Sequence, residues 1–229
     1  MIDATPGRRA SPRPCLQIGA FAALFNFLLT MIAASPVNAD KVAGPIRIVA
    51  FGDSLMAGYR LAPGDAFPVK LEKALRAKGL NVEVANAGVS GDTTAAGLSR
   101  VDWAVPDGTE IVILELGAND ALRGLPPAVV RRNLETTIQR VKAKGAAVLL
   151  AGMYAPKNWG DDYAKRFDAM YPELAKAHGL TLYPFFLDGI ALRAELNLDD
   201  GLHPNPKGVD VIVERIVPVV EKLVEAIRR

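Results

Sequence analysis

The stretch Ile46-Arg47-Ile48-Val49-Ala50-Phe51-Gly52-Asp53-Ser54-Leu55 decides how this chain reads. Its first six residues form an apolar run broken only by Arg47, the pattern of a strand buried in a sheet. The run stops at a glycine, a carboxylate and a hydroxyl. In an open α/β sheet the carboxyl ends of the strands are where the chain turns and where ligands bind. The stretch therefore predicts a buried strand with a candidate nucleophile, Ser54, at its tip.

Working outward, the same pattern returns twice. Asn81 to Ala85 alternates as a second strand and empties into Asn86-Ala87-Gly88-Val89-Ser90-Gly91-Asp92-Thr93-Thr94, a glycine-bearing loop that leads into a helix. Ile111 to Leu116 is a third strand, ending in Gly117-Ala118-Asn119-Asp120. Between the first two, Asp65 is placed to cap a helix that runs to about Lys78 and stops at Gly79. Pro126-Pro127 opens a helix through Lys144, and Ala146 to Ala151 is a fourth strand. An irregular apolar loop, Met153 to Trp159, precedes a helix from about Asp161 to His178, a short strand at Leu180 to Tyr183 and a short helix near Asp188 to Ala194. From Pro206 onward, Val209, Ile212, Val213, Ile216, Val217, Val220 and Leu223 recur at helical spacing. Strands alternating with helices of this length predict an α/β fold with a mostly parallel sheet flanked by helices.

The first 39 residues have a different character. Arg8, Arg9 and Arg13 precede a mostly apolar run from Leu16 to Ala34, and Val37-Asn38-Ala39 offers small residues for cleavage. This predicts a removable export signal over residues 1–39 and one domain over 40–229, in the periplasm or secreted. The alternative is a membrane anchor through residues 16–34, since that run nearly suffices to span a bilayer. Removing residues 1–39 leaves 24 basic and 24 acidic residues, so nothing electrostatic points to nucleic acid or an anionic membrane as partner. Cys15 is the only cysteine and falls in the removable segment, which excludes disulfides, thiolate catalysis and cysteine metal sites in the mature chain. No heptad or large apolar surface speaks to oligomeric state.

A serine becomes a competent nucleophile only when a base takes its proton and a third group orients that base. There are two histidines. His178 lies at a helix end, where an imidazole ordinarily meets the last carbonyls. His203 lies in Asp200-Gly201-Leu202-His203-Pro204, and the three-residue spacing lets Asp200 fold back onto Nδ1 and leave Nε2 for the serine. Asp199, the rival carboxylate, is expected to point elsewhere. Asp53 and Asp120 read as loop-fixing carboxylates that accept backbone N–H groups. Glu115, inside an apolar strand, is expected at an edge or hydrogen-bonded in the interior, and carries no assigned role.

Taken together, Gly52-Asp53-Ser54-Leu55, the Gly88 to Asp92 loop, Gly117-Ala118-Asn119-Asp120 and Asp200-Gly201-Leu202-His203 resemble, in identity and order, the blocks of the SGNH (GDSL) hydrolases. The likeness covers nearly all of the mature chain and is greatest to the bacterial periplasmic thioesterase, lysophospholipase and arylesterase group, through Phe51 to Tyr59. The resemblance implies a three-layer flavodoxin-like fold. It also implies a serine esterase acting on acyl esters or thioesters without cofactor or metal. Ser54 matches the family's nucleophile, His203 the base and Asp200 its orienter. The backbone N–H of Ser54, Gly91 and the side chain of Asn119 match the oxyanion donors, with Gly88 as the rival of Gly91. Neutral donors fixed in a dry site suit the charge that develops on a carbonyl oxygen during acyl transfer.

Leu122, Leu125, Met153, Tyr154, Pro156 and Trp159, which follow strand ends and are costly to expose, are expected to bound an acyl pocket. An acetylated carbohydrate is the alternative substrate class, and a catalytically dead binding module the alternative of another kind. The sequence has no Gly-x-Ser-x-Gly elbow, no Gly-x-Gly-x-x-Gly, no P-loop and no histidine cluster, which leaves the usual α/β-hydrolase, dinucleotide, nucleotide and metal readings without support.

Overall fold

The structure is a computed structural model and describes residues 44–228. The expected export signal over 1–39, the alternative anchor over 16–34 and Cys15 lie outside the described residues. Strands β1 (Ile46–Gly52), β2 (Val82–Gly88), β3 (Ile111–Glu115), β4 (Ala147–Ala151) and β5 (Thr181–Tyr183) form one sheet in the order β2-β1-β3-β4-β5. Every pairing is parallel.

A parallel sheet is stable only when both faces are covered, and all five residues of β3 are buried. The helices that cover it fall into two sets: α2 (Phe67–Ala77) packs on α7 (Pro206–Arg228), while α3 (Thr94–Ala104) packs on α5 (Pro127–Ala143) and α5 on α6 (Asp161–His178). Val209, Ile212, Val213, Ile216, Val217 and Val220 of α7 are buried as their spacing requires. Each fully buried side chain of this size contributes roughly 1.5–3 kcal/mol. Two one-turn helices, α1 (Ser54–Ala57) and α4 (Ala118–Leu122), sit at the carboxyl ends of β1 and β3. Among the described residues no helix is long and apolar enough to cross a membrane.

Three local expectations change. Asp65 does not cap α2: it belongs to the 3-10 turn Pro63–Asp65, its carboxylate lies 3.3 Å from Lys70 Nζ, and α2 starts at Phe67 with Pro68 in its first turn. The proline presets the helical backbone there without a side-chain cap. β2 continues to Gly88 because pairing with β1 continues to Gly52. The helix expected near Asp188 to Ala194 is a series of turns, ending in a 3-10 turn at Ala194–Leu196. Leu192 takes φ +65°, and Asn197 Nδ2 donates to the carbonyls of Ile190 and Arg193, which a helix would have used itself.

The register aligns the strand ends. Gly88, Gly52, Glu115, Ala151 and Tyr183 stand side by side across the five strands. Strand order reverses between β1 and β3, which is where such folds open a crevice. A Cβ on Gly88 would fall on the backbone of Met56 and Ala57, so the glycine is what lets α1 lie against β2. Gly88→Ala is expected to lower stability by about 1–3 kcal/mol, the usual cost of overpacking where backbone must move. Urea unfolding checks this, and an unchanged midpoint would mean that α1 is not held there.

Candidate active site

Ser54 is the first residue of α1. Asp53 caps that turn, its Oδ1 accepting from Leu55 N at 3.0 Å, and Gly58 in the left-handed conformation ends the helix after four residues. The N–H groups of a first helical turn have no partner within the helix, so the Ser54 N–H is available to a ligand.

The hydroxyl of Ser54 lies 2.9 Å from His203 Nε2, and His203 Nδ1 lies 2.9 Å from Asp200 Oδ2. Asp200 Oδ1 accepts the backbone N–H groups of Leu202 and His203, at 2.9 and 3.0 Å. Desolvation is the largest single influence on Asp200 and raises its pKa, but the two N–H groups and the imidazole together outweigh it and bring the carboxyl down to about 2. An ionised Asp200 accepts the Nδ1 proton, which leaves Nε2 to accept from the serine. Leu198 N donates to His203 O at 2.8 Å and Asn197 bridges to Pro204, pinning the loop at its base. Tyr59 lays its ring 4.5 Å from the imidazole. Asp199 turns outward to Arg60, at 2.7 Å.

Asn119 stands in α4, just beyond the end of β3. Its Nδ2 donates to Asp53 Oδ2 at 3.1 Å and to the Asp92 carbonyl at 3.0 Å. Both amide hydrogens are thus engaged, and one must be shared with any oxyanion bound here. Gly91 precedes Asp92 with φ +86°, and its N–H has no protein acceptor among the described residues. Gly91 is exposed and does not line the cavity next to Ser54. Gly88 is closed off beneath α1.

Arg100 is a residue that sequence reasoning missed. Buried on α3, it donates from Nε to Asp92 at 2.6 Å, from Nη1 to Ala87 O and from Nη2 to Gly52 O, both at 2.8 Å, over the ring of Phe51. It ties the ends of β1 and β2 to the loop that carries Gly91. Its signal in the sequence is its place three and six residues after Gly97 and Thr94, on the inward face of that helix. Asp120 accepts the N–H and hydroxyl of Thr94, at 2.8 and 2.6 Å. His178 closes α6 and meets Glu135 at 2.9 Å.

A cavity of about 240 Å³ opens beside Ser54, His203 and Asn119. Leu122, Met153, Tyr154 and Pro156 line it, as do Leu202, which adjoins His203, and Leu187, whose remote position gave no sign of it. Leu125 and Trp159, expected among its walls, are not part of the lining. Trp159 donates from Nε1 to Ala121 O at 2.8 Å and lies over Gly124, while Leu125 packs against the core, so both brace the turn after α4 from behind. Among the described residues no group of three or more His, Cys, Asp or Glu side chains is placed to hold a metal ion.

The model of the GDSL-like lipase/acylhydrolase family matches residues 50–211. An arylesterase of Vibrio mimicus is 39% identical over 196 residues, covering 85% of this chain and 98% of that protein. A thioesterase 1/protease 1/lysophospholipase L1 of Escherichia coli is 37% identical over 202 residues, covering 88% of this chain and 91% of its own. The crystal structure of AlinE4, described as an SGNH-hydrolase family esterase, superposes with a TM-score of 0.66 at 46% identity, over 78% of this chain and 96% of that one.

Because the folded state holds the Asp200 carboxyl near 2, below its ordinary 3.8, its ionised form stabilises the fold above about pH 4, and that contribution is lost as pH falls through 2. Asp200→Asn is therefore expected to destabilise the protein most near neutrality. Urea unfolding should show the gap to wild type narrowing between about pH 4 and 2, and a gap independent of pH would contradict the assignment.

Proposed function

The chain belongs to the GDSL-like lipase/acylhydrolase family and is an ester hydrolase, and from that premise we propose that it cleaves acyl esters and thioesters through an acyl-enzyme on Ser54. The observation that carries this reading is the unbroken hydrogen-bonded line from Ser54 Oγ through His203 to Asp200, beside an apolar cavity.

In this mechanism Ser54 Oγ attacks the acyl carbonyl as its proton passes to His203 Nε2, and Asp200 stabilises the imidazolium. Charge develops on the carbonyl oxygen, which the N–H groups of Ser54 and Gly91 and the side-chain amide of Asn119 receive. Collapse breaks the bond to the leaving oxygen or sulfur, which takes the proton from His203. Water then repeats the sequence on the acyl-enzyme and releases the acid.

Leu122, Met153, Tyr154, Pro156, Leu187 and Leu202 give the acyl chain apolar walls, which favours a fatty or aromatic acyl group over an acetylated sugar. The reading places the protein in the periplasm or outside the cell, with residues 1–39 as its export signal.

Turnover of p-nitrophenyl esters of graded chain length tests the proposal. Ser54→Ala is expected to abolish hydrolysis with the fold intact, and Asn119→Ala to lower kcat by roughly 10²- to 10³-fold with less effect on KM. Leu122→Ala should reduce kcat/KM more for longer acyl chains than for acetate, since each buried methylene contributes about 0.8 kcal/mol. Hydrolysis by Ser54→Ala at the wild-type rate would overturn the reading, and equal losses on every chain length would remove Leu122 from the pocket.

A further inference from the structure

Glu115 ends β3 and stands in the middle of the aligned strand ends, between Gly52 and Ala151. It is completely buried. An ionised carboxylate in such a place needs a cation or several donors, and Glu115 has neither. Its Oε1 has no hydrogen-bond partner, and its Oε2 receives only the Asp53 N–H, at 3.4 Å. Among the described residues no Lys or Arg pairs with it.

The carboxyl group within hydrogen-bonding reach is that of Asp53, also completely buried. Asp53 is better supplied: Oδ1 accepts from Leu55 N and Oδ2 from Asn119 Nδ2. Two touching acids in a dry interior do not both ionise, and the proton stays on the one with fewer donors.

We infer that Glu115 is a positioning residue of the active site, which keeps its proton and donates a hydrogen bond through it to the Asp53 carboxylate, so that Asp53 remains an ionised acceptor holding the Asn119 amide beside Ser54. The inference rests on the proposed role of Asn119 and adds the group that fixes it from below. Its surroundings leave Glu115 no other donor. Tyr171, from α6, gives its hydroxyl to Leu116 O. Arg100, from α3, is spent on Asp92 and on the carbonyls of Ala87 and Gly52. Asp120, from α4, is occupied by Thr94, and the β4 neighbour, Ala151, is apolar. His203, on the cavity side, attracts the Asp53 charge only when its imidazole is protonated.

Burial pushes Glu115 well above the usual carboxylate range, and the charge of Asp53 adds to this. Burial also pushes Asp53 up to about 6, against the pull of its donors. Of the two, Glu115 therefore holds the proton while Asp53 carries the charge, and acidification places a second proton on Asp53, which weakens the acceptor that Asn119 uses.

The test uses the full chain, with Glu115→Gln, whose amide can still donate to Asp53, and Glu115→Leu, which cannot. Infrared spectra at pH 7 are expected to show the C=O band of a buried protonated carboxyl in wild type and its loss in Glu115→Gln. On a p-nitrophenyl ester, Glu115→Gln should lose no more than about threefold in kcat and Glu115→Leu about tenfold or more, with KM little changed. Asn119→Ala should then cost less in the Glu115→Leu background than in wild type, because the amide is already misplaced. Absence of the band in wild type, its persistence in Glu115→Gln, or equal losses in the two variants would overturn the inference. The band decides the matter even if Glu115→Leu does not fold. Failure of the esterase reading would show separately, as wild type without turnover or turnover that survives Ser54→Ala, with the band unaffected.

Discussion

Everything at the site depends on the parallel register that ends β1, β2 and β3 at one level. Gly52 pairs with Gly88 on one side and with Glu115 on the other, so the turns that follow these strands begin side by side. Ser54 and Asn119 are 65 residues apart in the chain, yet Asp53, next to the serine, bonds directly to the amide. The glycines are part of the same constraint. A Cβ on Gly52 would lie 2.5 Å from the Glu115 carbonyl and from Met56 Cγ, and 2.6 Å from Glu115 Oε2. The small residue at the strand end is what allows a carboxyl group to stand against it.

Much of the architecture is legible in the sequence because buried parallel strands and helices that cover them on one face leave strong periodic signals. The five strands and the stripe of α7 are of this kind. That Asp200 would fold back on His203 and leave Nε2 for Ser54 was legible for another reason, a short turn-forming block around Gly201 and Pro204, whereas Gly91 and Asn119 could be singled out only through their match to the family's blocks. What stayed hidden was set by contacts between distant segments. Leu187 reaches the cavity from a turn with no local mark, Leu202 was passed over although it adjoins His203, and Trp159 is drawn away from it by a hydrogen bond to Ala121 O. The turns around Leu192 replaced a helix because Asn197 takes up the carbonyls.

The polar groups beneath the cavity run against stability. Arg100, Asp53 and Glu115 are buried at the carboxyl ends of the strands, and such groups are seldom worth more than the apolar residues that could replace them. Their arrangement follows the direction of the chemistry: cation and carbonyls at the loop of Gly91, an acid pair beneath Asn119, and a separate ionised Asp200 behind the base. Oriented groups in a dry site need little rearrangement as charge develops, which is the general source of oxyanion stabilisation. The apolar side chains lie on the cavity walls, where an acyl chain and not the reacting carbonyl would rest.

In the proposed mechanism Ser54, activated by His203, is the nucleophile. Reaction with a phosphonate ester that leaves a covalent mark on activated serines, followed by peptide mass spectrometry, tests it most directly. A single adduct is expected on the peptide containing Ser54, formed rapidly in wild type and not in a folded His203→Ala variant. An adduct on another residue, or labelling of Ser54 at an undiminished rate in His203→Ala, would contradict it.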